Sequence, residues 1–103
     1  MKIQLNTDKN IQGAEALETF VTEKISKSLK HFADKITRIE VHISDQNSQK
    51  AGTDDIQCKI EARLEGLQPI LVAGKSNTTE KALNEAIAKI KAALDTVMGK
   101  LKS

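Results

Sequence analysis

The residues able to do chemistry in this chain are few: one cysteine, two histidines, and lysines that fall late in two helical stretches. Cys58 alternates with Ile56 and Ile60, which turns it inward on a strand. A nucleophilic cysteine needs an exposed, electropositive setting, whereas a buried one packs as a small hydrophobe. His31 stands near a helix end among lysines, and His42 on the solvated face of a strand. Neither has a second ligand at metal spacing, so no metal site is expected. The tetrapeptide AGKS ending at Ser76 has the wrong context for a phosphate loop: the preceding glycine is missing, and Lys75 closes a strand instead of opening a helix. No two carboxylates can be set as acid and base. The expectation is therefore a protein that is not an enzyme and takes no cofactor or small-molecule substrate.

The lysines remain. Lys24, Lys27 and Lys30 fall late in the first helical stretch, with Lys35 just past it, and Lys89, Lys91, Lys100 and Lys102 late in the second. Composition restrains what they can mean. A net charge of +2 is far from the strongly basic balance of a general nucleic-acid binder, so any polyanion surface must come from uneven placement. Two phenylalanines and no tyrosine or tryptophan argue against a base-stacking platform. With 39% apolar and 29% charged residues the chain is an ordinary globular one. Its 103 residues, 1–103, fit one domain. The lone cysteine excludes an intrachain disulfide and fits a reducing compartment. No apolar run has the length of a signal peptide or a membrane span, and a cytoplasmic location without membrane attachment is expected.

The positioning elements follow from periodicity. KIQLN alternates Ile3 and Leu5 with polar residues, as a short strand does. From Ala14 to about Ala33 the apolar residues Leu17, Phe20, Val21, Ile25, Leu29 and Phe32 step by threes and fours, one helical stripe, with Gly13 as its cap. ITRIEVHIS alternates Ile39, Val41 and Ile43 against Arg38, Glu40 and His42. DQNSQKAGTDD is a polar loop. IQCKIEARLEG alternates again, GLQP turns, and ILVAG forms a fourth, more apolar strand. Asn77 with Glu80 predicts a capping box. The last helix carries Leu83, Ala86, Ile87, Ile90, Leu94, Val97, Met98 and Leu101 on its apolar face, with Gly99 placed to loosen or end it. The expected fold is α+β, in the order β-α-β-β-β-α: a four-stranded sheet with two parallel helices packed on one face.

That topology gathers the C-terminal ends of the two helices. Glu15, Glu18 and Glu23 lead the first helix and lysines trail it; Glu80 and Glu85 lead the second in the same way. The two trails would form one basic end. The solvated sheet face mixes Arg38, Lys59 and Arg63 with Glu40, Glu61 and Glu65 and reads as neutral cross-strand pairs. Acids early and bases late also suit the helix dipole in any protein, by roughly 0.3–1 kcal/mol per charge. Charge placement alone therefore leaves a solvated surface and a phosphate surface both open.

The stretches MKIQLNTDKNIQG, ITRIEVHISD, KIEARLEGLQPILV and ALNEAIAKIKAAL together resemble the ribosome hibernation promoting factor and ribosome-associated inhibitor family, also called the sigma-factor modulation family. The resemblance covers nearly the whole chain. It implies the same β-α-β-β-β-α arrangement, similar to a double-stranded-RNA-binding domain. It further implies binding to ribosomal RNA phosphates of the small ribosomal subunit, in the channel used by messenger and transfer RNA, so as to silence or protect idle ribosomes. Carried over by position, the spaced basic residues of the first helix are Lys24, Lys27 and Lys30. The last-helix pattern is matched at Ala82, Ala86, Lys89, Ile90 and Leu94, with Lys91 beside it. It departs at Ala92, where the family often has arginine, and at Thr96, where many members carry a base; a weaker phosphate surface is the expectation. The chain ends at Ser103, so the extra domain by which long members pair ribosomes is not expected, and a monomer or weak dimer is. The competing expectation is a protein-interaction module that kept the fold and lost the RNA surface.

Overall fold

The computed structural model describes residues 1–8, 13–45 and 56–102, the side chains of 14, 101 and 102 apart. The expected polar loop beyond Asp45 lies outside the described residues. The elements run β1 (Lys2–Thr7), α1 (Ala14–Ser28), a single 3-10 turn (Lys30–Phe32), β2 (Ile36–Asp45), β3 (Ile56–Leu64), β4 (Ile70–Ser76) and α2 (Thr79–Lys102). The sheet order is β1-β2-β3-β4. β1 and β2 pair in parallel, Ile3 opposite Ile39 and Leu5 opposite Val41. β2–β3 and β3–β4 are antiparallel, with Ile43 opposite Cys58 and Ile60 opposite Val72. This is the α+β fold expected from the alternations.

One side of the sheet and the inner stripes of both helices make a single aliphatic core. Ile39, Val41, Ile43, Cys58, Ile60, Ala62 and Leu64 meet Val21, Ile25, Leu29, Leu83, Ile90 and Leu94, all buried. Burial of such side chains contributes roughly 1.5–3 kcal/mol each. Ile36 is buried too, although it is three residues from Ile39 and should face away. A bulge resolves this: Ile36 pairs with Leu64 and Arg38 with Arg63, which leaves Thr37 as the extra residue. The Thr37 hydroxyl donates to the Arg63 carbonyl at 3.1 Å.

α2 lies close against β4 because Gly74 has no side chain. A Cβ there would stand 2.5 Å from the Ala82 carbonyl oxygen and 2.7 Å from the Ala86 nitrogen. Small residues on the facing turns, Ala82 and Ala86, are themselves fully buried.

Four local expectations need correction. The cap of α2 is Thr78, not Asn77. Its hydroxyl accepts from the Lys81 N–H at 3.1 Å, and its carbonyl accepts from the Ala82 N–H at 3.0 Å. The Asn77 side chain instead accepts from the Ser76 hydroxyl at 3.3 Å. α2 runs through Gly99 to Lys102. The first helical stripe is not one helix to Ala33. It stops at Ser28 and tightens into the 3-10 turn, which keeps Leu29 buried and Phe32 against the core. Last, Phe20 is not core: it is 38% exposed.

Candidate nucleic-acid interface

The two helix ends do come together. His31, Phe32 and Lys35 from the segment after α1 line one open groove with Lys91, Asp95, Met98 and Gly99 of α2. Its first wall is well fixed. Phe32 packs against the core, and its N–H donates to the Leu29 carbonyl at 2.9 Å. The Lys35 N–H donates to the Phe32 carbonyl at 2.9 Å, and the Lys35 carbonyl accepts from the Glu65 N–H at 3.3 Å. Lys35 is thereby tied to the end of β3. The second wall is the C-terminal half of α2, held by buried Ile90 and Leu94. Two lysines, a histidine and one carboxylate, Asp95, line this groove. A groove of that balance can take phosphate oxygens while metal or nucleophilic chemistry has no donor set in it. Among the described residues no group of histidine, cysteine and carboxylate side chains could hold a metal ion.

The five lysines singled out by sequence fall into four places. Lys91 is in the groove. Lys24 and Lys27 lie along α1 beside Phe20 and Glu23. Lys30 is exposed on the 3-10 turn next to His31. Lys89 stands apart. Its ammonium donates to the Ala73 carbonyl of β4 at 2.8 Å and pairs with Glu85 at 3.2 Å. Residues two apart on an α-helix are turned by about 200°, so Lys89 and Lys91 flank the buried stripe of α2 on opposite sides. The side chain of Lys102 lies outside the described residues. At Ala92 and Thr96 the outer surface of α2 is uncharged, and the Thr96 hydroxyl donates back to the Ala92 carbonyl at 3.1 Å.

Lys35 and His31 were named by sequence without being placed in the site; the right signal was their position just past the first helix end, opposite Lys91 once the helices run parallel. The Phe20 ring was lost to the core stripe. In the structure the Lys24 ammonium lies 5.4 Å from its centroid.

The opposite, solvated sheet face disposes of its charge internally. Glu40 bridges Arg38 at 3.3 Å and Arg63 at 3.5 Å, and Arg63 also reaches Glu61 at 3.5 Å. Arg38 further donates to the Gln4 side-chain oxygen. Like charges sit directly opposite, Arg38 against Arg63 and Glu40 against Glu61, so the bridges run diagonally and along strands. His42 lines a shallow depression here with Ser44, Gln57, Lys59, Glu61 and Leu71, and Leu71 is 64% exposed. The apolar run of the fourth strand is thus left uncovered at Leu71 on this face. Cys58 is buried, and burial pushes its thiol up to about 12. It is no nucleophile at neutral pH.

Two solved structures share this fold. The N-terminal domain of Protein Y from Thermus thermophilus superposes with a TM-score of 0.74 at 16% identity, covering 94% of this chain and 99% of that one. A ribosomal subunit interface protein from Coxiella burnetii superposes with a TM-score of 0.75 at 18% identity, covering 96% and 99%. No curated protein sequence is significantly similar to the chain. The profile of one family matches residues 6–102, which takes in every element from the end of β1 to the end of α2. The chain belongs to the sigma 54 modulation protein / S30EA ribosomal protein family.

Proposed function

We propose that this protein is a translation regulator that binds the small ribosomal subunit and silences or protects idle ribosomes under stress or in stationary phase. Family membership supports a ribosomal partner, and one neighbour of the same fold is titled a ribosomal subunit interface protein. The observation that carries the reading is the groove where the helix ends meet: Lys91, Lys35 and His31 converge there, while the sheet arginines are bridged by Glu40 and Glu61. Ammonium groups of Lys24, Lys27, Lys30 and Lys91 would neutralise RNA phosphates, which fixes position without reading sequence. The protein acts by occupying space on the subunit, as a cytoplasmic monomer or weak dimer, and catalyses nothing.

Sedimentation with purified small subunits through sucrose tests this. Wild-type protein co-sediments at low salt. The double variant Lys27→Glu, Lys91→Glu is expected to stay at the top of the gradient with its thermal unfolding unchanged. Lys89→Glu is expected to weaken binding less than Lys91→Glu, because the Lys89 ammonium already serves β4. Full co-sedimentation of the double variant would falsify the phosphate-docking reading. A partner that survives nuclease and high salt would favour the protein-interaction module, which the uncharged surface at Ala92 and Thr96 suits.

A further inference from the structure

We infer that the Phe20 ring, flanked by Lys24 and Lys27, is a stacking site for an unpaired nucleobase of the ribosomal RNA; this rests on the ribosome-binding reading above. Phe20 is one of two aromatic residues in the chain. Phe32 is half-buried, packed against the core at the edge of the groove. Phe20 is instead 38% exposed, on a helix flank shared with Glu23, Lys24 and Lys27. A phenyl ring left 38% exposed on a polar flank forgoes part of the stabilisation that full burial would give it. Such a ring is the element that recognition of unpaired bases uses, since every base has a π-face and needs no particular sequence to stack.

The surroundings of the ring suit this ligand. The Lys24 ammonium, 5.4 Å from the centroid, is attracted to the ring electrostatically and steadies it. Lys24 and Lys27 border the same shallow depression, so a base on the ring would bring its own phosphate within reach of either ammonium. Glu23 borders it too. An ionised carboxylate only accepts hydrogen bonds. It repels a phosphate in that place but favours a base edge that offers amino N–H groups. The ligand is therefore an unpaired adenine, guanine or cytosine, held by stacking, with its phosphate on the lysines.

The test compares wild type with Phe20→Ala, Phe20→Leu and Phe20→Trp in titrations of purified small subunits over a series of salt concentrations. Phe20→Ala and Phe20→Leu are expected to weaken binding by about 5- to 150-fold, the range one stacked base contributes. Phe20→Trp keeps a π-face and is expected to bind as wild type does. The dependence on salt should be the same for all four proteins, because no phosphate contact is removed. Chemical probing should show an amino-bearing base protected by wild type and open with Phe20→Leu. Wild-type affinity in Phe20→Leu would overturn the stacking site and leave ribosome binding intact, since leucine keeps apolar bulk without a π-face. Weakened binding matched by an equal loss of thermal stability would also overturn it, by making the ring structural. Failure of wild type itself to bind the subunit would overturn the ribosome reading and this inference together.

Discussion

At Cys58 the effect of burial can be measured directly. The thiol is fully buried and its pKa is raised to about 12 by desolvation. In the unfolded chain the same group ionises near its ordinary value of 9.0. A folded pKa above the unfolded one means that the stabilising contribution is complete below pH 9. It is lost as pH rises from there toward 12, where the unfolded state binds fewer protons than the native. Wild type should therefore lose stability faster than Cys58→Ala between pH 9 and 11, by up to about 1.4 kcal/mol per unit. Paired urea melts across that window read the difference, and parallel curves would contradict it. The inward placement of Cys58 was legible because strand alternation admits only two faces. Phe20 was not, because a helix offers a continuous range of angles. It sits about 100° from Val21 and about 140° from Ile25 on the wheel, at the rim of the stripe, where only the width of the sheet beneath decides burial.

Among the elements, the pairing of α2 with β4 turns on a single backbone position. Gly74→Ala puts a methyl group inside contact distance of backbone atoms at Ala82 and Ala86, which cannot swing aside as a side-chain tip would. Overpacking of this kind costs about 1–3 kcal/mol, and more when backbone must move. A domain of this size then melts roughly 4–8 °C lower for each kcal/mol, and a melt within a degree of wild type would show that the layer can open freely. The order and faces of the strands were readable, since Ile39, Val41, Ile43 and Ile56, Cys58, Ile60 alternate without a break. The close approach at Gly74 was not, because a glycine in ILVAG reads equally as a weak strand end. The cap slipped from Asn77 to Thr78 for a similar reason: both side chains can accept an N–H, and the choice rests on the turn that leaves β4.

For the whole molecule, a net charge of +2 conceals a division of labour between two surfaces. The sheet side cancels its arginines with Glu40 and Glu61. The helix side keeps lysines near α1 and the groove with Glu23 and Asp95 as the acids beside them. If the protein docks on the small subunit as proposed, that binding is expected to be strongly salt-dependent despite the modest overall charge. Lys91→Ala is expected to lower the slope of log affinity against log salt by about 1, while Arg63→Ala leaves it unchanged. Equal slopes for wild type and Lys91→Ala, obtained by titration at several salt concentrations, would remove Lys91 from the contact set. Sequence could rank the two surfaces only by counting charges. Their difference depends on which arginines find carboxylates within 4 Å, a matter of register.

The bond from Lys89 to Ala73 has a consequence for how copies of this protein behave when crowded together. β4 is the outermost strand of the sheet on its side, and an outermost strand with open acceptors is a template on which another chain can grow. Its most apolar run, Ile70 to Gly74, would suit such growth. The ammonium seated on the Ala73 carbonyl blocks one rung of that template and places a charge across it. Lys89, which lies outside the groove, thus sets a charge on an edge that a second strand would otherwise find apolar.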